Sequence, residues 1–132
     1  MTTTAAPVTS TPVDTPVPAA QLDAEKLDCY RVAVEAQVLA VALLAAEYRI
    51  LRDQLERASL SVVLNISEGA GRRSRKDKRR HYAIARGSAM ESAAAVDVIA
   101  RRGIASAEEC ARVRALYVRV VQMLSRLDTA LA

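Results

Sequence analysis

Residues 107–131 read AEECARVRALYVRVVQMLSRLDTAL. Val113, Leu116, Val120, Leu124, Leu127 and Leu131 recur every three or four positions, the period of a helix with one apolar face. Arg112, Arg114, Arg119 and Arg126 mostly ride beside that stripe. Ser106 with Glu109 three residues on fits a capping box at its start. A stripe of this length has to be buried against other helices.

Reading back along the chain supplies them. A third helix is predicted over about 75–102, with Ser74 as N-cap and Asp77 at the third helical position. Tyr82, Ala85, Ala89, Val96 and Ile99 are its apolar positions, and Gly103 ends it after Arg101 and Arg102. Gly87 sits inside it at a cost of about 1 kcal/mol against Ala, which suggests close approach of a neighbouring helix. A second helix is predicted over about 50–67, with Leu51, Leu55, Ala58, Val62 and Ile66 on one stripe and Gly69 and Gly71 as its stop. A first helix is predicted over about 23–48, carrying Leu27, Tyr30, Val34, Val38, Val41 and Ala45. No charge occurs from Val38 to Ala46. Nine helical residues span roughly 14 Å, too little to cross a bilayer. An all-round apolar helix therefore needs cover on more than one face, part of it from another subunit. Short connections favour antiparallel neighbours, so residues 22–132 are expected to form an all-α, up-down-up-down four-helix bundle.

Composition agrees. The 132 residues contain no Phe, no Trp, four Tyr and four Gly. A sandwich or barrel would need more aromatic and β-branched residues between frequent turns. No G-x-G-x-x-G or G-x-x-x-x-G-K motif occurs. Cys29 and Cys110 lie far apart with no ligand partner near either, which excludes zinc fingers and C-x-x-C redox sites. Residues 1–21 hold all four prolines, six threonines and one acid, and are expected to be a disordered tail. They lack the basic start and apolar block of a signal peptide, so a cytoplasmic protein without membrane attachment is expected.

Charge is the second organising feature. There are 19 Lys and Arg against 15 Asp and Glu, and sixteen of the bases are Arg. Arg forks suit bidentate contact with phosphate or carboxylate. Seven of the bases crowd into one nine-residue run, Arg72-Arg73-Ser74-Arg75-Lys76-Asp77-Lys78-Arg79-Arg80, where a glycine-containing turn enters the third helix. Helix N-termini also favour anions, so a phosphate chain is a natural counter-surface. Tyr82 is the one aromatic residue near the run and is the candidate for stacking on a base. Binding of this kind would be led by phosphates and shape, with little sequence readout. The competing reading is a solvated helix start that pairs with acids of a neighbour.

Enzymatic chemistry finds little support. His81 is the only histidine, with no orienting acid and nucleophile placed beside it in sequence; a polar helix residue is expected. Glu35, Glu47, Glu68 and Glu91 suggest a carboxylate-bridged metal bundle, but that needs Glu-x-x-His on two helices. Glu68 and Glu91 are expected to pair with arginines, and no metal or cofactor is expected.

The second and third helices carry a resemblance. Gln54-Leu55-Glu56-Arg57-Ala58 through Ser61, then Asn65-Ile66-Ser67-Glu68-Gly69-Ala70-Gly71-Arg72-Arg73-Ser74, then Tyr82-Ala83-Ile84-Ala85-Arg86-Gly87-Ser88 and Glu91, are similar to the signature of the 23S rRNA intervening-sequence proteins. Val63 stands where that family usually has Pro. Arg79, Arg80 and His81 replace positions that are often aromatic or aliphatic, which makes this surface more basic. The resemblance implies a four-helix bundle assembling into a homopentameric ring. Some members of the family are encoded inside insertions of 23S rRNA genes. A related branch, the accessory variability determinant of diversity-generating retroelements, is a basic pentamer that binds nucleic acid and a reverse transcriptase. Copies of one basic turn around a ring would multiply a weak contact by avidity.

The expected function is therefore a non-enzymatic homo-oligomer that binds RNA or DNA through Arg72, Arg73, Arg75, Lys76, Lys78, Arg79 and Arg80, with Tyr82 stacking, as an accessory to a reverse transcriptase. The stretch from Asn65 to Gly71 is expected to be structural, placing the basic turn. The alternative is a protein-interaction scaffold without nucleic acid, its basic turn facing acids such as Glu108 and Glu109 of a neighbour.

Overall fold

The computed structural model describes residues 22–132; the tail expected over 1–21 lies outside them. A short 3-10 turn, Asp23–Lys26, leads into four helices: α1 (Asp28–Val41), α2 (Arg49–Gly71), α3 (Arg75–Arg101) and α4 (Ala107–Leu131). Each of the two C-terminal helices starts on a serine cap. Ser74 Oγ accepts the Asp77 N–H at 3.0 Å and Ser106 Oγ accepts the Glu109 N–H at 3.1 Å, satisfying donors that the helix itself cannot. Gly103 closes α3 with φ 69°, a left-handed conformation that glycine adopts without strain.

The helices pack as a square in which α1 touches α2 and α4, and α3 touches α2 and α4. Side-chain bonds give their directions. Between α2 and α3, Gln54 meets Glu91, Ser61 meets Ser88 and Asn65 meets His81. Between α3 and α4, Arg79 meets Asp128, Arg86 meets Ser125 and Asp97 meets Arg114. Residue numbers rise on one helix as they fall on its neighbour, so both pairs are antiparallel. The centre is filled by side chains from all four helices, among them Val32, Leu55, Ile66, Val96, Ile99, Tyr117 and Leu124.

Three expectations need correction. The first helix does not reach Tyr48: α1 ends at Val41, and residues 42–48 form an irregular turn. Leu44 in that turn is buried, and its carbonyl accepts from Arg52 Nη1 at 3.4 Å. The apolar run resembles helix in sequence because inward residues look alike whether the backbone is helical or turning. The second helix does not stop near Ser67. It continues to Gly71, since Gly69 is used for close packing and not as a left-handed cap. Gly87 has no approaching helix within the chain; a Cβ there would meet nothing within 4 Å. Among the described residues no helix is long and apolar enough to cross a membrane.

Candidate nucleic-acid interface

The basic run occupies the turn between α2 and α3 and the first turns of α3. Two contacts set its position. The Arg72 N–H donates to Gly69 O at 3.2 Å as the backbone turns extended. Beneath the turn, Gly69 faces the Tyr82 ring and His81 so closely that a Cβ would lie 2.8 Å from Tyr82 Cε1. Glycine at 69 thus lets α2 and α3 converge just before the chain reverses.

The structure divides the seven cations into two groups. Three are engaged within the chain. Arg72 bonds Glu68 Oε2 at 2.6 Å, one turn back on α2. Lys78 Nζ donates to the carbonyls of Gly69 and Ala70, at 3.3 and 2.8 Å, and so caps the C-terminal end of α2. Arg79 forks onto Asp128 of α4 at 2.8 and 3.3 Å. That hydrogen bond and the guanidinium charge hold the Asp128 carboxyl below its usual range. The remaining four, Arg73, Arg75, Lys76 and Arg80, are exposed and form no ion pair or side-chain hydrogen bond among the described residues. Asp77 is the one acid among them.

Tyr82 is not available to stack on a base. It is 4% exposed, its ring lies against Gly69, and burial raises its hydroxyl pKa. His81 is likewise no surface residue, being 8% exposed. Asn65 Nδ2 donates to the Ser61 carbonyl at 2.9 Å, which leaves Asn65 Oδ1 as the acceptor. His81 Nδ1 therefore donates to it, across 3.1 Å between α2 and α3. With Ser61 and Ser88 oxygens 2.8 Å apart farther along, this makes a polar seam joining the helices that flank the turn. Sequence reasoning missed the seam. Its signal was present, because His81 precedes Ala85, Ala89, Ser92, Val96 and Ile99 on one helical stripe. Glu68 pairs with Arg72 as expected, whereas Glu91 accepts from Gln54 Nε2 at 2.6 Å and meets no arginine among the described residues of its own chain.

The arrangement offers a cationic surface at the entry to α3. Among the described residues no group of three or more His, Cys, Asp or Glu is placed to hold a metal ion.

Comparison with known proteins covers most of the bundle. No curated protein matches the chain. A crystal structure of a protein of unknown function from the S23 ribosomal protein family of Bacteroides thetaiotaomicron superposes with a TM-score of 0.70. It is 19% identical and covers 76% of this chain and 97% of its own, a likeness of fold alone. The family model described as 23S rRNA-intervening sequence protein matches residues 25–126, a span that takes in most of all four helices and the whole basic turn. With its four-helix square and the matched span running through it, the chain belongs to the 23S rRNA-intervening sequence protein family.

Proposed function

We propose that this chain is a non-enzymatic, cytoplasmic homo-oligomer, a pentameric ring in its complete form, that binds RNA or DNA through phosphate contacts. The observation that carries this reading is the set of four exposed cations, Arg73, Arg75, Lys76 and Arg80, with no partner among the described residues. They lie on the α2–α3 turn and the first turns of α3, a segment tied down by the Ser74 cap, the Lys78 bond to α2 and the close contact at Gly69. Arg72, Lys78 and Arg79 shape that turn and take little part in binding. Contacts to phosphate position a nucleic acid without reading its sequence. The reverse transcriptase implied by the retroelement resemblance is a further partner for the oligomer.

Fluorescence anisotropy of labelled structured RNA and duplex DNA, titrated across a salt series, tests the reading. Four phosphate contacts per protomer give a slope of about −3.6 in log affinity against log salt on duplex DNA. Affinity then falls roughly 150-fold between about 50 and 200 mM salt. Absence of binding near 50 mM salt, with the protein folded, would remove nucleic acid from the function and leave the scaffold.

A further inference from the structure

Ser74 stands in the middle of the basic run, with Arg72 and Arg73 before it and Arg75 and Lys76 after it. Among the described residues, Ser74 and Ser106 are the exposed serines. Both cap a helix, yet their hydroxyls are held differently. Ser106 Oγ accepts the Glu109 N–H at 3.1 Å and donates its own proton to Glu109 Oε1 at 3.1 Å, so that hydroxyl is engaged on both sides. Ser74 Oγ accepts the Asp77 N–H at 3.0 Å, and its own proton goes to no acceptor among the described residues. The Ser74 hydroxyl is thus exposed, with a proton free to be taken.

The surroundings of the two serines differ as well. Glu108 and Glu109 follow Ser106, whereas arginines stand on both sides of Ser74. The backbone leading to Ser74 is extended, with φ −76° and ψ 153° at Arg72 and φ −85° and ψ 148° at Ser74. An extended segment can lie in the groove of another protein and offer its side chains one by one. Here it offers two guanidiniums and then a hydroxyl.

We infer that Ser74 is a phosphorylation site and that its phosphate switches the basic turn off. This rests on the nucleic-acid binding of the proposed function and adds its regulation. The modifying enzyme is a protein serine kinase whose substrate groove holds carboxylates for Arg72 and Arg73. Arg72 can exchange its bond to Glu68 for such a carboxylate, because that ion pair is exposed on both sides and therefore weak. A nucleoside triphosphate is the phosphoryl donor. Ser74 Oγ bonds to the γ-phosphorus while the bond from that phosphorus to the β,γ-bridging oxygen breaks. The nucleoside diphosphate leaves, and the hydroxyl proton passes to a base of the kinase. Hydrolysis of the phosphoester by water, on a phosphatase, returns the hydroxyl and inorganic phosphate. The consequence follows from charge. Arg73, Arg75, Lys76 and Arg80 with Asp77 carry a net +3. Phosphoserine adds about −1.5 to −2 at neutral pH, and its oxygens pair with arginines as a nucleic-acid phosphate does. Arg73, Arg75 and Lys76, all within two residues of Ser74, then serve the chain's own phosphate. The fold survives, since a phosphate at this position still accepts the Asp77 N–H and suits the start of α3.

The test incubates the full chain with ATP and a serine kinase that selects arginine before the acceptor. Ser74→Asn, which keeps a capping side chain without a hydroxyl, is treated alongside. Mass spectrometry maps the phosphate, and circular dichroism checks that the helices persist. Phosphate is expected on Ser74 of the wild type and not on Ser106. Anisotropy on duplex DNA is then expected to show the salt slope flattened by about two units, roughly 60-fold in affinity near 100 mM salt. Phosphatase treatment is expected to restore binding, and kinase treatment to leave the binding of Ser74→Asn where it was. A Ser74 that the kinase leaves bare, a phosphorylated chain with the wild-type slope, or release accompanied by loss of helix would overturn the inference. The two readings stay apart in the same assay. An unmodified chain that binds nothing overturns the nucleic-acid function and the switch with it, while salt-dependent binding that the phosphate does not change overturns the switch alone.

Discussion

Replacing Gly69 by alanine probes the contact that places the basic turn. A Cβ at this position meets Tyr82 Cε1 at 2.8 Å, Tyr82 Cδ1 at 3.0 Å and His81 Cβ at 3.1 Å. Neither neighbour can give way freely. Tyr82 is buried between the helices, and His81 is tied to Asn65. Overpacking of this kind costs about 1–3 kcal/mol. Against it stands the helical preference of Ala over Gly, about 1 kcal/mol. Gly71→Ala isolates that second effect, since a Cβ at 71 meets nothing within 4 Å. Gly69→Ala is therefore expected to be less stable than Gly71→Ala by about 1–3 kcal/mol. Urea denaturation followed by circular dichroism reads the difference at matched protein concentration. A Gly69→Ala protein as stable as Gly71→Ala would refute the claim that this glycine exists for helix convergence.

Other residues of the turn give separable outcomes. Lys78→Met removes the cap on the Gly69 and Ala70 carbonyls; it is expected to lose about 1 kcal/mol in urea denaturation while the salt slope of binding stays within experimental error. Asp128→Asn releases Arg79 from its carboxylate, so the salt slope is expected to steepen by up to about one unit on duplex DNA. Burial pushes the Cys29 thiol up to about 11, from an ordinary value of 9.0. The raised pKa means that stability is full below the unfolded thiol's pKa and falls as pH climbs towards the folded one, by about 1–3 kcal/mol in all. Urea midpoints are expected to fall across that alkaline window, and less steeply in Cys29→Ala.

Much of the bundle was legible because helical periodicity is a local property. Both serine caps follow from spacing alone and appear in the structure at the residues named. Of the Val113–Leu131 stripe, Val113, Val120 and Leu124 are buried while Leu116, Leu127 and Leu131 are half-buried; Tyr117, fully buried beside them, is the residue that spacing did not give. The limits of α1 were not legible, because Leu44 is buried from a turn as thoroughly as it would be from a helix. Tyr82 carries two readings in the sequence, an apolar position of the third helix and a stacking residue, and the structure keeps the first. It sits three residues before Ala85 on the buried stripe, and only its nearness to the arginines suggested stacking. The division of the cations was beyond local reading. Arg79 meets Asp128, 49 residues away, and Lys78 reaches back to carbonyls of the preceding helix. Which charges stay free depends on how α4 and α2 pack against α3.

The most direct test of the account compares salt slopes for two sets of substitutions on the same duplex and RNA. One variant changes Arg73, Arg75, Lys76 and Arg80 to Gln; the other changes Lys78 and Arg79. The first is expected to lose most of the slope, about three to four units on duplex DNA, with assembly unchanged. The second is expected to keep the wild-type slope and to lose stability instead. Equal losses from both sets, or a wild-type slope in the first, would contradict it.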